Sequence, residues 1–292
     1  MADYNREMVM VPTTSLRMEL IEAGNGPLMV FLHGFPEMAD SWKNQIKYFS
    51  GKGYKVVAPN MRGYGNTERP RSGYDVDTLA DDIAGIFDHY GADRAVLAGH
   101  DWGGLVAWHF AYRHPDRLKA LAILNAPHPI RYEEELRRDR RQRIRSLYVL
   151  AFQIPYLPEW YMGLKGARLV SIVIERSTVR KETFTREDLD KYAENMSKPG
   201  ALRAGLAYYR QAIRDRNKLR TYYKDKKITA PTQVIWAQQD NFLGPALAEG
   251  LDRFVDAPLE VVPIDNCGHW VQQEAADEVN EAMYKFLSTH AK

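Results

Sequence analysis

One cysteine, Cys267, stands among 292 residues, so no disulfide can form within the chain and no cysteine-rich metal site can be built. An excess of either charge is missing too: 40 Lys and Arg against 38 Asp and Glu leave a formal charge of +2. The chain therefore has no global field for capturing nucleic acid or an anionic membrane, and neutral, lipophilic partners are expected. Long hydrophobic runs are also absent. The opening stretch Met1–Gly26 is interrupted by Asp3, Arg6, Arg17 and Glu19, unlike the apolar segment of a secretory leader. No later run is long and apolar enough to span a bilayer. Internal repeats and low-complexity tracts are lacking. These absences lead to the expectation of a cytoplasmic enzyme with no cofactor and no metal; a homodimer is left open.

What is present suits an ordinary globular enzyme, with 45% hydrophobic and 27% charged residues. The length allows one large domain carrying an insertion. Short apolar runs rich in β-branched residues predict strands at Leu28–Leu32, Lys55–Ala58, Ala95–Ala98, Ala120–Leu124, Gln233–Ala237 and Leu259–Pro263, buried on both faces. Amphipathic stretches predict helices at Asp40–Phe49, Val76–Tyr90, Gly104–Arg113 and Ala275–Leu287. Glu7–Val11 and Ser15–Ile21 read as an antiparallel pair at the edge of the sheet. This alternation implies an α/β fold with a mostly parallel sheet and helices on both faces. It stops between Pro129 and Ile228, where the chain becomes charged, aromatic and helical, with Pro155, Pro158 and Pro199 as breakers. Residues 1–128 and 229–292 are thus expected to form the core, and 129–228 an inserted helical cap. The basic run Arg131–Arg145 suggests an anion-binding patch, but Glu133, Glu134, Glu135 and Asp139 within it favour a solvated helix face.

Gly99-His100-Asp101-Trp102-Gly103 lies between an apolar strand and an apolar-faced helix. A glycine-flanked turn of this kind holds its central side chain out above the sheet, with the next amide free to donate. An aspartate there could instead only cap the helix. Surrounding motifs favour a nucleophile. The loop His33-Gly34-Phe35-Pro36-Glu37 follows an earlier strand and can set the Phe35 amide opposite the Trp102 amide as an oxyanion hole. His33 reads as a brace for that loop. Asp240 and His269 each follow the end of a later strand, where open α/β sheets carry their sites, and the chain order Asp101, Asp240, His269 is nucleophile, acid, base. Cys267 reads as a buried neighbour.

A carboxylate nucleophile suits attack at a saturated carbon, giving an alkyl ester of the enzyme that water then hydrolyses. His269, oriented by Asp240, would activate that water, and the Phe35 and Trp102 amides would hold the tetrahedral intermediate. A halide leaves as an anion that Trp-like N–H donors can hold. An epoxide oxygen would leave as a basic alkoxide and needs an acid, for which a neutral phenol serves. Phe35 and Trp102, with the cap aromatics Phe152, Tyr156, Trp160 and Tyr161, are expected to line an apolar pocket; cap core is the alternative for the latter four.

Over nearly its whole length the sequence resembles the epoxide hydrolases of the α/β-hydrolase superfamily. The resemblance rests on His33-Gly34-Phe35-Pro36-Glu37, Gly99-His100-Asp101-Trp102-Gly103-Gly104 and Cys267-Gly268-His269-Trp270. It implies an α/β-hydrolase fold with a helical cap, conversion of small lipophilic epoxides and water to diols, a detoxifying role, and two cap tyrosines that protonate the epoxide oxygen. By position these are Tyr148, four residues before Phe152-Gln153, and Tyr209, within Tyr208-Tyr209-Arg210. Asn60 departs from the family pattern, which commonly has Asp there, and is given no catalytic role; Asn125, also uncharged, leaves Asp240 as the triad acid. Haloalkane dehalogenases are similar in their nucleophile, acid and base, but Phe35 offers no side-chain N–H for a halide. Fluoroacetate dehalogenases would have arginine in place of Trp102. A binding protein that holds a ligand without turnover remains the alternative from another class.

Overall fold

In the computed structural model, which describes residues 4–291, eight strands form a single sheet. Met1, Ala2 and Asp3, which belong to the stretch read for a leader, lie outside the described residues. The strands are β1 (Asn5–Val11), β2 (Leu16–Ala23), β3 (Leu28–Leu32), β4 (Lys55–Pro59), β5 (Ala95–His100), β6 (Leu118–Leu124), β7 (Thr232–Ala237) and β8 (Leu259–Ile264), in spatial order β1-β2-β4-β3-β5-β6-β7-β8. β2 is antiparallel to β1 and β4; every later pairing is parallel. The antiparallel pair read from sequence is thus one edge of the sheet, and β8 is the other. β8 is only partly buried, unlike the two-sided burial expected of every apolar run, because it has a partner on one side only.

Alternate side chains of a strand point to opposite faces, and the core divides accordingly. Along β3, Val30 and Leu32 join one apolar cluster and Met29 and Phe31 the other. The first cluster packs under α2 (Val76–His89) and α3 (Trp102–Arg113), the second under α1 (Lys43–Gly51) and α11 (Ala276–His290). α3 starts two residues earlier than its sequence pattern indicated, directly at the turn, and α1 is preceded by a tighter helical turn, Ala39–Trp42.

Between β6 and β7 the chain leaves the sheet and forms α4 (Pro129–Arg138), α5 (Arg140–Arg145), α6 (Leu147–Ala151), α7 (Leu157–Ser177), α8 (Arg186–Ser197) and α9 (Ala201–Tyr223). Pro155 and Pro199 fall between helices as expected. Pro158 instead occupies the first turn of α7, where its missing N–H costs nothing. α10 (Val271–Glu274) is a single turn just after the His269 loop.

Candidate active site

β5 ends at His100 and α3 begins at Trp102, so the change of direction falls on Asp101, at φ 49° and ψ −119°. A left-handed conformation at a non-glycine residue costs about 1–3 kcal/mol. Close packing makes room for it only with glycine neighbours. A Cβ on Gly103 would stand 2.2 Å from the Leu32 carbonyl oxygen, and one on Gly34 would stand 2.4 Å from the Asp101 Cβ. Asp101 occupies the N-cap of α3 but makes no capping bond. Its Oδ1 accepts the Phe35 N–H at 2.9 Å, and the adjacent Trp102 amide also favours the charged form of the carboxylate. Burial pushes its pKa above the ordinary carboxylate value, against the pull of His269, His100 and the two amides.

His269 brings its Nε2 to 3.7 Å from Asp101 Oδ2 and its Nδ1 to 2.7 Å from Asp240 Oδ2. Asp240 is saturated: Oδ2 also accepts from Asn125 Nδ2 at 2.7 Å, and Oδ1 takes the Phe242 and Leu243 amides at 2.7 and 3.0 Å. Burial alone would lower the His269 pKa, but the adjoining Asp240 charge and hydrogen bond, with Asp101 beyond, raise it to about 9. Asp240, despite burial, is held below its usual range by His269.

Two buried carboxylates that sequence reasoning left without a role tie this arrangement together. Glu37 accepts from the Gly34 amide and from Gln272 and Gln273, and pairs at 2.7 Å with His100 Nδ1, while His100 Nε2 reaches the His269 carbonyl. This hydrogen-bonded pair thus joins the oxyanion loop, the turn and the His269 loop. Glu274 accepts the Gly268, Trp270, Val179 and Arg180 amides, fastening the His269 loop to the cap. Glu37 was visible inside the first loop motif; Glu274 left no local signal. His33 accepts the Met61 amide on Nε2 and approaches the Gly34 carbonyl through Nδ1, and burial drops its pKa to about 4, which suits a neutral brace. Asn60 bonds to the Ala39 amide and the Glu19 carboxylate, and Cys267 is buried.

Above the core lies a cavity of about 530 Å³. Asp101 and His269 form its floor, Phe35 and Phe242 its sides, and Tyr148, Phe152 and Tyr209 its roof, with hydrocarbon from Leu169, Val170 and Val173 filling the remainder. Tyr208, one residue away on α9, turns from the cavity and donates to the Arg62 carbonyl at 2.8 Å. The Tyr209 ring is pinned edge-on between Phe35, Phe152 and Trp102 at 4.8–5.5 Å. Burial pushes both phenols well above their usual pKa, and repulsion from the Asp101 charge adds to this; the neighbouring Tyr209 hydroxyl at Tyr148 and the Trp102 indole at Tyr209 oppose it only in part. Both rings are therefore neutral.

Three expected lining residues are elsewhere. Tyr156 and Trp160 are 85% and 63% exposed and do not reach the cavity. Pro158 and Met162 occupy the buried side of the α7 start, which turns Trp160 outward. Trp102 lies behind the wall, its indole against Tyr208 and Tyr209. Tyr161 does reach the rim. Among the described residues no group of three or more His, Cys, Asp or Glu could hold a metal ion.

The family model described as the alpha/beta hydrolase fold matches residues 27–276. The chain is 35% identical to the AB hydrolase superfamily protein YfhM of Bacillus subtilis over 95% of its own length and 96% of that protein's. It is 34% identical to human epoxide hydrolase 4, over 97% of its own length and 79% of the relative's. A crystal structure of Bacillus megaterium epoxide hydrolase with an inhibitor superposes with a TM-score of 0.86 at 31% identity, covering 97% of this chain and 100% of the other.

Proposed function

Because the chain belongs to the α/β-hydrolase family, we propose that it converts small lipophilic epoxides to vicinal diols through an ester on Asp101. The observation that carries the reading is one hydrocarbon-walled cavity with Asp101 and His269 on one side and Tyr148 and Tyr209 on the other. Asp101 Oδ1 is engaged by the Phe35 amide, whereas Oδ2 lies 3.7 Å from His269, beyond hydrogen-bond range. Oδ2 is therefore the attacking atom: it bonds to a ring carbon, the carbon–oxygen bond breaks, and the departing oxygen takes a proton from a phenol. Water then loses a proton to His269 Nε2 and adds to the ester carbonyl. Its oxyanion, already on Oδ1, rests on the Phe35 and Trp102 amides. Collapse releases the diol and restores Asp101, and the proton on His269 returns to the phenolate.

Charge couples the steps. The Asp101 carboxylate raises both phenol pKa values and the His269 pKa. Its conversion to a neutral ester removes that field at the moment when a phenol must lose a proton and His269 must become a base. Among the residues lining the cavity, the Trp270 indole N–H is engaged with Ser177 Oγ at 2.9 Å, which disfavours halide capture.

With the chain in excess over styrene oxide in oxygen-18 water, the first diol is expected to be essentially unlabelled, and prompt solvent label would refute the ester. His269→Gln should accumulate protein heavier by the mass of the substrate. Haloalkanes assayed in parallel separate the rivals: halide release marks a dehalogenase, and binding without either product marks a non-catalytic member of the fold.

A further inference from the structure

The basic run Arg131–Arg145 carries exposed arginines, as a solvated helix face should, but from Ile144 onward the outer surface of the cap is apolar. Along α5 and α6, Ile144, Leu147 and Leu150 recur at three-residue intervals and are 57%, 56% and 63% exposed. At the start of α7, Leu157, Trp160, Tyr161 and Leu164 follow the i, i+3, i+4, i+7 spacing of one helix face and are 44–63% exposed. Such a stripe normally faces a core; here it faces out. The helix is broken immediately beyond it, where Lys165, Gly166 and Ala167 take left-handed values of 53°, 66° and 57° in φ. The stripe thus sits on a short piece separate from the rest of α7. Leu157 and Tyr161 also line the cavity, so the patch is continuous with its rim.

Beside this patch stand Arg138, Arg140, Arg141 and Arg143, all exposed, and among the described residues none is within ion-pair distance of a carboxylate. The overall charge of +2 conceals this local cluster. Apolar and interfacial aromatic side chains flanked by unpaired cations make the pattern of a surface that lies on an anionic bilayer. A second copy of the chain fits it less well, since a two-fold interface would bring two arginine clusters toward each other. No helix among the described residues is long and apolar enough to cross a membrane, so the contact is peripheral.

We propose that the cap docks on anionic lipid surfaces through Ile144–Leu164 and the arginines beside it, with the cavity rim turned toward the lipid. Docking does not depend on the reaction proposed above. The consequence for substrate does: a lipophilic epoxide dissolved in the bilayer would reach the cavity without crossing water.

Trp160 provides the test, because it is the one exposed tryptophan of six. The full chain is mixed with vesicles of phosphatidylcholine alone or of phosphatidylcholine with phosphatidylglycerol, and both sedimentation and tryptophan emission are followed. Co-sedimentation with the anionic vesicles is expected, with a blue-shifted emission that Trp160→Phe removes and that raised salt weakens. Arg140→Glu/Arg143→Glu should bind at least about tenfold more weakly while keeping its melting temperature and its activity on a water-soluble epoxide. No binding to anionic vesicles would overturn the proposal, and so would binding without a Trp160 shift. Sedimentation velocity without lipid covers the alternative: a dimer in which Trp160 is already blue-shifted would give the surface to a second copy instead.

Discussion

On the core side of the cavity, the carboxylates and imidazoles have their partners before any ligand arrives: Asp240 holds His269, Asn125 and two amides, and Glu37 joins three loops through His100 and two glutamines. On the cap side, Tyr148 and Tyr209 are oriented mainly by the edges of other rings. The core wall is arranged to bear charge in fixed positions; the cap wall offers neutral donors held by ring packing. Mutations on the two sides should therefore fail differently, the core variants through lost geometry and stability and the cap variants through lost chemistry in an intact fold.

The largest effect tests the cap. Tyr148→Phe/Tyr209→Phe should lower the rate of Asp101 alkylation by about 10³-fold or more, within the range of general acid catalysis, with each single variant closer to wild type and the melting temperature unchanged. Stopped-flow measurement of ester formation checks this, and equal loss in stability and rate would erase the contrast. On the core side, Glu37→Gln removes one member of a buried pair and should cost about 3–5 kcal/mol of stability, read by urea unfolding.

A pH effect of similar or smaller size should come from His269. Its folded pKa of about 9 lies above the unfolded value of 6.5, so its contribution is complete below pH 6.5 and is lost as pH rises through 9. At 1.36 kcal/mol per pKa unit this amounts to about 3 kcal/mol at most. Thermal melts of wild type should fall across that window relative to His269→Gln. Trp160→Phe, on the cap exterior, should shift stability by no more than about 0.5 kcal/mol.

The same contrast explains what could be read from the chain. Asp101, Asp240 and His269 were legible because each follows a strand end, and the strands announce themselves as apolar runs. The cap was legible as helical but not as a surface: α7 is apolar on both sides, with Met162 and Val170 inward and Trp160 and Leu164 outward, so no polar face marks its orientation. That is why Tyr156 and Trp160 were expected in the pocket and Leu169 and Val173 were not. Glu37 and Glu274 escaped assignment because their partners are amides and side chains from distant segments, which no spacing rule connects.

The hydrocarbon lining of the cavity also bears on how a catalytic cycle would end. An epoxide brings a single acceptor and no donor, and the reacting groups can satisfy it; a diol brings two hydroxyls into the same space. Each hydroxyl left unpaired against apolar walls costs about 1–3 kcal/mol. The chamber would therefore hold the reactant better than what it becomes, and departure of the product into water would be downhill without any separate device for expelling it.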